Sequence, residues 1–274
     1  MKSITCELQS INNEIEIYAI GDTHIGSMNF NEPLLLNLID HILAKPNRYV
    51  ILNGDIVDCT FKDSAGNVYE NEMSPQVALS YASLKLSPLA KANRILCTTG
   101  GNHDDDRSMR LVGISTAQQL AVLLGIPHLY SSDSCMIFAR CKDMVKGHKS
   151  QNVMFHIFVN HGNNGGGATM GSKANALEKM AYIVPNADVY IHSHTHSPMT
   201  FKDEICCIDD VRQRLVWRSR LYVNTNAFLN YFNSYGEKKL FKPQSQAIPK
   251  ITLKAIRECK KDSDKVVKVA TCEI

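Results

Sequence analysis

The 274-residue chain lacks the devices that hold small secreted or membrane proteins together. Its nine cysteines (Cys6, Cys59, Cys97, Cys135, Cys141, Cys206, Cys207, Cys259, Cys272) are odd in number and scattered, and none shows C-x-x-C spacing. A disulfide framework and a thiolate zinc motif are thereby disfavoured, which leaves free thiols suited to a reducing cytoplasm. The stretch Met1 to Asn13 is polar and leads directly into a strand, leaving no room for a signal peptide. No apolar run approaches membrane-spanning length, so no membrane partner is expected. Aromatic residues make up only 7% of the chain, with Trp217 the single tryptophan. Internal repeats and low-complexity linkers are absent.

What is present suits a folded globular protein. Hydrophobic residues account for 44% and charged residues for 21%, enough to bury a full core. The net charge of +3 conceals an asymmetry: from Gly236 onward there are ten Lys and Arg against five acids, a local +5. A basic end either attracts a polyanion such as nucleic acid or keeps a sheet edge soluble. Trp217 and the group Phe228, Tyr231, Phe232 and Tyr235 pose a similar choice between stacking nucleobases and packing in a core or interface, with packing preferred. Cys206-Cys207 lies in β-like surroundings and reads as a packing pair.

Apolar periodicity gives alternating elements. Strands are expected at Glu14 to Ile20, Tyr49 to Leu52 and Ile95 to Thr98. Helices are expected from Asn31-Glu32-Pro33 to about Ala44, from Ser74-Pro75 to about Leu86, and from Ser115 or Thr116 to Gly125. This β-α-β-α-β order argues for parallel strands with helices packed on them. Further on, Cys135 to Ala139, Val153 to Val159 and Asp188 to Ile191 read as strands and Ser172 to Tyr182 as a helix. Arg214 to Val223, Ile251 to Ile256 and Lys265 to Ala270 suggest antiparallel strands, the last two joined by Lys260 to Asp264.

Five short segments stand at the ends of strand-like runs: Gly21-Asp22-Thr23-His24, Gly54-Asp55, Gly101-Asn102-His103-Asp104, Asn160-His161-Gly162 and Ser193-His194-Thr195-His196. Side chains placed this way converge at one edge of a sheet. Carboxylate, amide and imidazole donors without thiolate suit Mn, Fe or Zn, with Ni also compatible.

The order Asp-x-His, Gly-Asp, Gly-Asn-His-Asp, His-Gly and His-x-His resembles the calcineurin-like metallophosphoesterases over Asp22 to His196. The resemblance implies an α/β fold of two packed mixed β-sheets flanked by helices, a four-layer sandwich. Residues 1–233 would form the catalytic domain and 234–274 a C-terminal β extension packed on it. It further implies two divalent metal ions, one held by Asp22, His24 and His196, the other by Asn102, His161 and His194, with Asp55 bridging. Two such cations, roughly 4 Å apart, make hydroxide available near neutral pH for in-line attack on phosphorus. His103 would protonate the leaving group and Asp104 would orient it. Asp58, in the pattern Gly-Asp-x-x-Asp, reads as a supporting acid.

Two departures stand out. The family usually has Gly immediately before His-x-His, whereas this chain has Ser193, preceded by His192. The loop Asn163-Asn164-Gly165-Gly166-Gly167 after His161 reads either as a lid that offers backbone N–H groups to phosphate, with Lys173 as a clamp, or as a plain connector. Arg107 is a second candidate phosphate contact, its alternative being a surface salt bridge.

The expected activity is phosphoester hydrolysis, with phosphodiesters, nucleic acid or nucleotides preferred on the form Gly21-Asp22-Thr23-His24-Ile25-Gly26. Alternatives are a phosphomonoesterase, a nucleotide pyrophosphatase, or a noncatalytic metal-binding interaction module, whose mark would be lost ligands. The oligomeric state is not legible from the sequence.

Overall fold

The apolar runs become strands of two six-stranded sheets in a computed structural model that describes residues 1–61, 71–145, 151–162, 169–211, 213–243, 245–257 and 266–274. The first sheet has the order β1 (Lys2–Gln9), β6 (Ser134–Val145), β7 (Gln151–Asn160), β8 (Val189–His192), β10 (Arg214–Asn224), β9 (Met199–Asp209). The second runs β12 (Val266–Glu273), β11 (Lys250–Arg257), β2 (Glu14–Ile20), β3 (Arg48–Asn53), β4 (Ile95–Thr99), β5 (Tyr130–Ser131). Both are mixed: β2, β3, β4 and β5 are parallel neighbours, whereas β11 runs antiparallel to β2 and to β12.

Strand alternation builds the layers. Ile15, Ile17 and Ala19 of β2 point inward with Ile51, Ile137, Phe155, Ile157, Ile191 and Val223, forming the core between the sheets. Tyr18, Ile20, Val50 and Leu52 point the other way. They pack beneath α1 (Glu32–Leu43), α2 (Pro75–Lys91) and α4 (Thr116–Leu123) through Leu35, Ile39, Ala82, Leu86 and Leu120. On the far side, Phe158, Tyr190 and Tyr222 receive Leu177 and Met180 of α5 (Met170–Ile183). Helix, sheet, sheet, helix is the four-layer arrangement that the sequence led us to expect.

Capping residues set the helix starts: Asn31 Oδ1 accepts from Leu34 N at 3.1 Å and Ser115 Oγ from Gln118 N at 3.0 Å. Helix α2 runs beyond the expected Leu86 and contains Pro88, because Leu89 and Ala90 continue the buried stripe past the proline.

Several features differ from expectation for reasons of packing. The polar N-terminal stretch contains β1, parallel to β6, with only Ile4 and Leu8 buried; so sparse an apolar set does not announce a strand. The last strands widen the second sheet: Ile251 and Leu253 of β11 stand opposite Ile17 and Ile15 and enter the inter-sheet core. Their lysines are paired, Lys250 with Glu273, Lys254 with Glu14 and Lys268 with Asp188, which favours the solubility reading of the basic end. Lys260, Lys261 and Lys265 lie outside the described residues. Trp217 and Cys206 are exposed, which rules out core packing for both and leaves Trp217 its interface reading, because β8 accompanies β10 only along Leu221–Asn224.

The two sheets are clasped at one end by buried polar groups. Asn53, the last residue of β3, donates from Nδ2 to Asn160 O at 3.1 Å and to Ser193 Oγ at 2.7 Å, and its Oδ1 accepts from Thr99 Oγ1 at 2.8 Å. Ser193 Oγ also accepts from Thr225 Oγ1 at 2.8 Å. Replacing Asn53 by Leu strands these groups without water, so Asn53→Leu is expected to lower the unfolding free energy by about 3 kcal/mol. Urea denaturation followed by circular dichroism measures it; an unchanged midpoint would show that the clasp does not stabilise the fold.

Candidate metal centre

The clasp lies directly beneath the motif residues. After β2 and β3 the chain continues as two zipped loops: Asp22 N donates to Gly54 O at 3.1 Å, His24 N to Asp55 O at 3.0 Å and Ile25 N to Ile56 O at 3.0 Å. This geometry forces left-handed backbone on non-glycine residues, with φ of 52° at Asp22, 48° at His24 and 52° at Asp55. His194 and His196 are left-handed as well, at 65° and 51°. Such conformations cost about 1–3 kcal/mol each and persist where the surrounding structure over-determines them. Five of the seven expected ligands share this feature.

The donors converge in groups. Asp22, His24 and His196 bring one ligand atom each within 4.8 Å of one another, and Asp55, His161 and His194 do the same. Asn102 joins the second group, its Oδ1 2.8 Å from His194 Nδ1. A third group, His24, Asp55 and His103, overlaps both, so Asp55 lies between them.

Hydrogen bonds aim these atoms. Asp22 Oδ2 accepts from His194 N at 2.9 Å, which turns Oδ1 inward, 3.3 Å from His196 Nε2. Asp55 Oδ1 accepts from His103 N at 2.7 Å, while Oδ2 faces His161 Nε2 at 3.2 Å. His161 Nδ1 donates to Asn53 O at 2.7 Å, leaving Nε2 as the ring's unprotonated ligand atom in the neutral tautomer. Asp22 Oδ1 and His161 Nε2 are buried without a hydrogen-bond partner. Buried polar atoms without a well-formed hydrogen bond are rare in folded proteins; the neighbours of these two are other donors, at 3.2 Å and 3.3 Å, and an ion among them would satisfy both.

Electrostatics points the same way. Burial opposes ionisation of Asp22 and Asp55, yet the nearby imidazoles hold both carboxyls below the usual range. Burial also opposes charge on His161, but Asp55 and Asp22 push it up to about 10; His194, with burial dominant, is pushed down to about 4. A centre with two buried carboxylates draws positive charge, and the donor set fits divalent cations.

The loop Gly101 to Asp106 is one π-helical turn leading into α3 (Arg107–Val112). It corrects the expectation for Asp104. That carboxylate is fully buried and turned away from His103, its Oδ1 accepting from Gly101 N and its Oδ2 from Ile56 N, both at 2.8 Å. Burial raises its pKa to about 7, with Asp55 adding to the shift. The residue that orients His103 is Asp58, whose Oδ1 lies 2.7 Å from His103 Nδ1 and 3.8 Å from His24 Nδ1. One turn of tight backbone turns the adjacent carboxylate into a loop staple, and the Gly-Asp-x-x-Asp spacing was the available signal for its replacement.

Arg107 stands against the His103 ring, with Nη1 3.1 Å from Nδ1 and Nη2 3.3 Å from Nε2, and donates to Cys59 O at 3.1 Å. It therefore sits at the centre's rim, where its ion pair is not at the surface but with the buried Asp58, Nη1 lying 4.0 Å from Oδ1. The clamp expected of Lys173 is not what the geometry gives: its ammonium donates to Ser197 Oγ and lies 3.5 Å from Thr195 O, holding the loop that carries His194 and His196. The Asn163–Gly167 loop lies outside the described residues.

Ser193 fits because residue 21 is glycine; a Cβ there would lie 2.4 Å from Ser193 Oγ. Gly54, at φ 72°, is required twice over, since a Cβ would meet His161 Nδ1 at 2.4 Å. His192 is buried against Asn224 Oδ1 at 2.9 Å and stays outside the donor groups. Asn53, Thr99, Thr225 and Asn224 support the centre, yet they belong to no motif and nothing in the sequence singles them out.

A two-sheet α/β sandwich with such donors at one sheet end defines the metallophosphoesterase class of architecture. The sequence model described as calcineurin-like phosphoesterase matches residues 15–198, and the chain belongs to that family. No curated protein matches the chain. Among solved structures it is similar to a predicted phosphoesterase of Streptococcus pneumoniae TIGR4, at 10% identity over 94% of this chain and 98% of that one, with a TM-score of 0.36. It is also similar to wild-type Vps29 from Entamoeba histolytica complexed with zinc, at 10% identity, 94% and 99% coverage and a TM-score of 0.39. NAD nucleotidase of Haemophilus influenzae matches at 13% identity, 88% and 47% coverage and a TM-score of 0.38.

The revised roles of the two acids are separable. Asp104→Asn keeps one acceptor for two backbone N–H groups and should lower stability by about 1–3 kcal/mol. Asp58→Asn should leave the melting temperature near wild type while slowing turnover on the order of 10- to 100-fold. Melting curves and rates measured side by side decide it; the reverse pattern would return the orienting role to Asp104.

Proposed function

We propose that the chain is a metal-dependent phosphoester hydrolase that holds two divalent cations and prefers phosphodiesters. Asp22, His24 and His196 would hold one ion and Asn102, His161 and His194 the other, with Asp55 between them. The observation that carries this reading is the convergence of the donor groups on the buried atoms Asp22 Oδ1 and His161 Nε2, which make no good hydrogen bond and whose near neighbours are other donors. Mn suits these donors best, and Fe, Zn or Ni also fits. Bound cations supply Lewis acidity toward phosphoryl oxygens and make hydroxide available near neutral pH.

The chain's own residues supply position and protons. The His161 to Asn53 carbonyl bond and the Asp22 to His194 backbone bond fix the direction of donor atoms before any substrate arrives. Asp58 accepts from His103 Nδ1, so the ring can deliver a proton from Nε2 to the departing oxygen. Arg107, beside that nitrogen, offers its guanidinium to a phosphoryl oxygen. The diester preference rests on the Gly21 to Gly26 form, since the described lysines of the C-terminal strands are paired with acids.

A second reading has its own observation. His103 also falls in a donor group with His24 and Asp55, which makes it a potential ligand instead of an acid. As a general acid, His103→Ala retains full metal content and loses about 10²- to 10⁴-fold on esters with alkoxide leaving groups, and much less on nitrophenyl esters. Rates across a leaving-group series, with metal content measured in parallel, separate the readings; equal losses or missing metal would establish the ligand role.

The reading as a whole is tested with metal-replete and metal-stripped protein on mono- and diesters, including single-stranded, double-stranded and cyclic nucleotides. Turnover on diesters that requires metal is expected, and activity on monoesters alone would remove the diester preference. Asp55→Asn should lose metal and turnover together, and more severely than Asn102→Ala, because Asp55 contributes charge to both groups. Near-normal metal and rate in Asp55→Asn would overturn its assignment.

A further inference from the structure

The ribbon of β9 and β10 carries apolar surface for which the metal centre has no use. β8 pairs with β10 only from Leu221 to Asn224, so the rungs from Arg214 opposite Asp209 to Arg220 opposite Asp203 stand as a two-stranded ladder among the described residues. Leu215 and Trp217 share a face with Leu221 and Val223, which line the core between the sheets. Opposite them in register are Ile208 and Cys206. Nearer the centre this face is covered by the second sheet. Farther out it is bare, with Ile208 70%, Leu215 69%, Trp217 71% and, at the turn, Val211 91% exposed. A two-stranded ribbon is marginal alone in water, and a contiguous apolar face with a central tryptophan is the composition of a protein contact.

Charge and area identify the occupant. The ribbon from Asp203 to Arg220 bears Arg212, Arg214, Arg218 and Arg220 against Asp203, Glu204, Asp209 and Asp210, a balance of zero. Arg220 pairs with Asp203 across the ladder, and Arg214 lies 4.0 Å from Asp209. Such a surface has no net attraction for a polyanion or an anionic membrane, and no net charge repels a second copy of itself. At roughly 150 Å² per large apolar side chain, the four exposed residues offer on the order of 500 Å² per copy. Doubled across a two-fold axis this reaches about 1,000 Å², the lower bound for a specific interface.

We propose that the β9–β10 ribbon is a dimerisation arm that packs face to face with the same arm of a second copy, each Trp217 resting on the other's Leu215 and Ile208. A contact of this kind is isologous and closes on itself. Trp217 stands seven residues along β10 from Asn224, roughly 24 Å from the clasp, so dimerisation leaves the metal centre open.

The chain's only tryptophan makes the test specific, because its fluorescence reports the arm and nothing else. Sedimentation velocity and tryptophan emission are followed as the metal-loaded full chain is diluted from high micromolar to nanomolar. The expected result is a doubled mass with blue-shifted emission at high concentration, both reverting together on dilution. The double substitution Ile208→Glu and Leu215→Glu should give a single-chain mass and red-shifted emission throughout, with the wild-type circular dichroism and rate on a small phosphoester retained. Should that variant fail to fold, Val211→Glu, at the turn outside the ladder, should weaken association at least tenfold. A single-chain mass at every concentration overturns the proposal, as does a dimer that survives these substitutions or a mass change with unshifted emission. Blue-shifted emission appearing only on addition of neutral phosphatidylcholine vesicles would likewise overturn it in favour of a lipid contact.

Discussion

The centre depends on a hydrogen-bonded clasp at one end of two sheets whose shared core is otherwise apolar. Asp22, His24, Asp55, Asn102 and His103 follow strands of the second sheet, whereas His161, His194 and His196 follow strands of the first. Apolar packing is nearly nondirectional and fixes the separation of the sheets loosely. The bonds from Asn53 Nδ2 to Ser193 Oγ and Asn160 O tie the sheets together at the end where the ligands emerge, and Thr99 Oγ1, donating to Asn53 Oδ1, holds that side chain in place. Asn53 also reaches the centre itself, because its carbonyl receives His161 Nδ1. One residue thus joins the framework to the orientation of a ligand, His161.

Local strain and burial are tolerated around that clasp. Five donors adopt left-handed backbone, and two carboxylates are removed from water where each costs several kcal/mol as an isolated anion. Both are unfavourable in isolation, and both fit a centre completed by cations. The same end of the molecule concentrates glycines at close approaches, Gly21 under Ser193 and Gly54 under His161. The opposite end is plainer, with lysines paired along β11 and β12 and a ribbon that outruns its neighbours. The metal-donor groups and the bare ribbon thus lie toward opposite ends of one sheet, whose strand β10 carries Asn224 at one end and Trp217 toward the other.

The fold was legible wherever a strand or helix buries a continuous stripe. Strands β2, β3 and β4 and helices α1 and α4 were expected within a few residues of their bounds, since their apolar periods and capping residues are local properties. β1 was not, because a strand that buries only Ile4 and Leu8 has no period distinct from a polar terminus. Helix α2 was expected to end at about Leu86, but Leu89 and Ala90 continue its buried stripe, and that packing outweighs the local penalty of Pro88. Trp217 shows the converse: its context left core and interface packing both open, and only strand lengths in three dimensions reveal that β8 stops short of it.

By itself, the sequence determined the family, the alternating architecture and which side chains can donate to a metal, because donor chemistry and hydrophobic period are written residue by residue. Tertiary structure decided which acid serves which histidine. Asp104 is adjacent to His103 in the chain but is carried by a tight π-helical turn into the backbone of Gly101 and Ile56, whereas Asp58 arrives from a separate loop at 2.7 Å. It likewise decided that Lys173 holds a loop, that Arg107 lies against an imidazole, and that Ser193 is accommodated by Gly21. Each of these outcomes is a distance between segments remote in sequence, fixed by how two sheets pack, and no local pattern encodes such a distance.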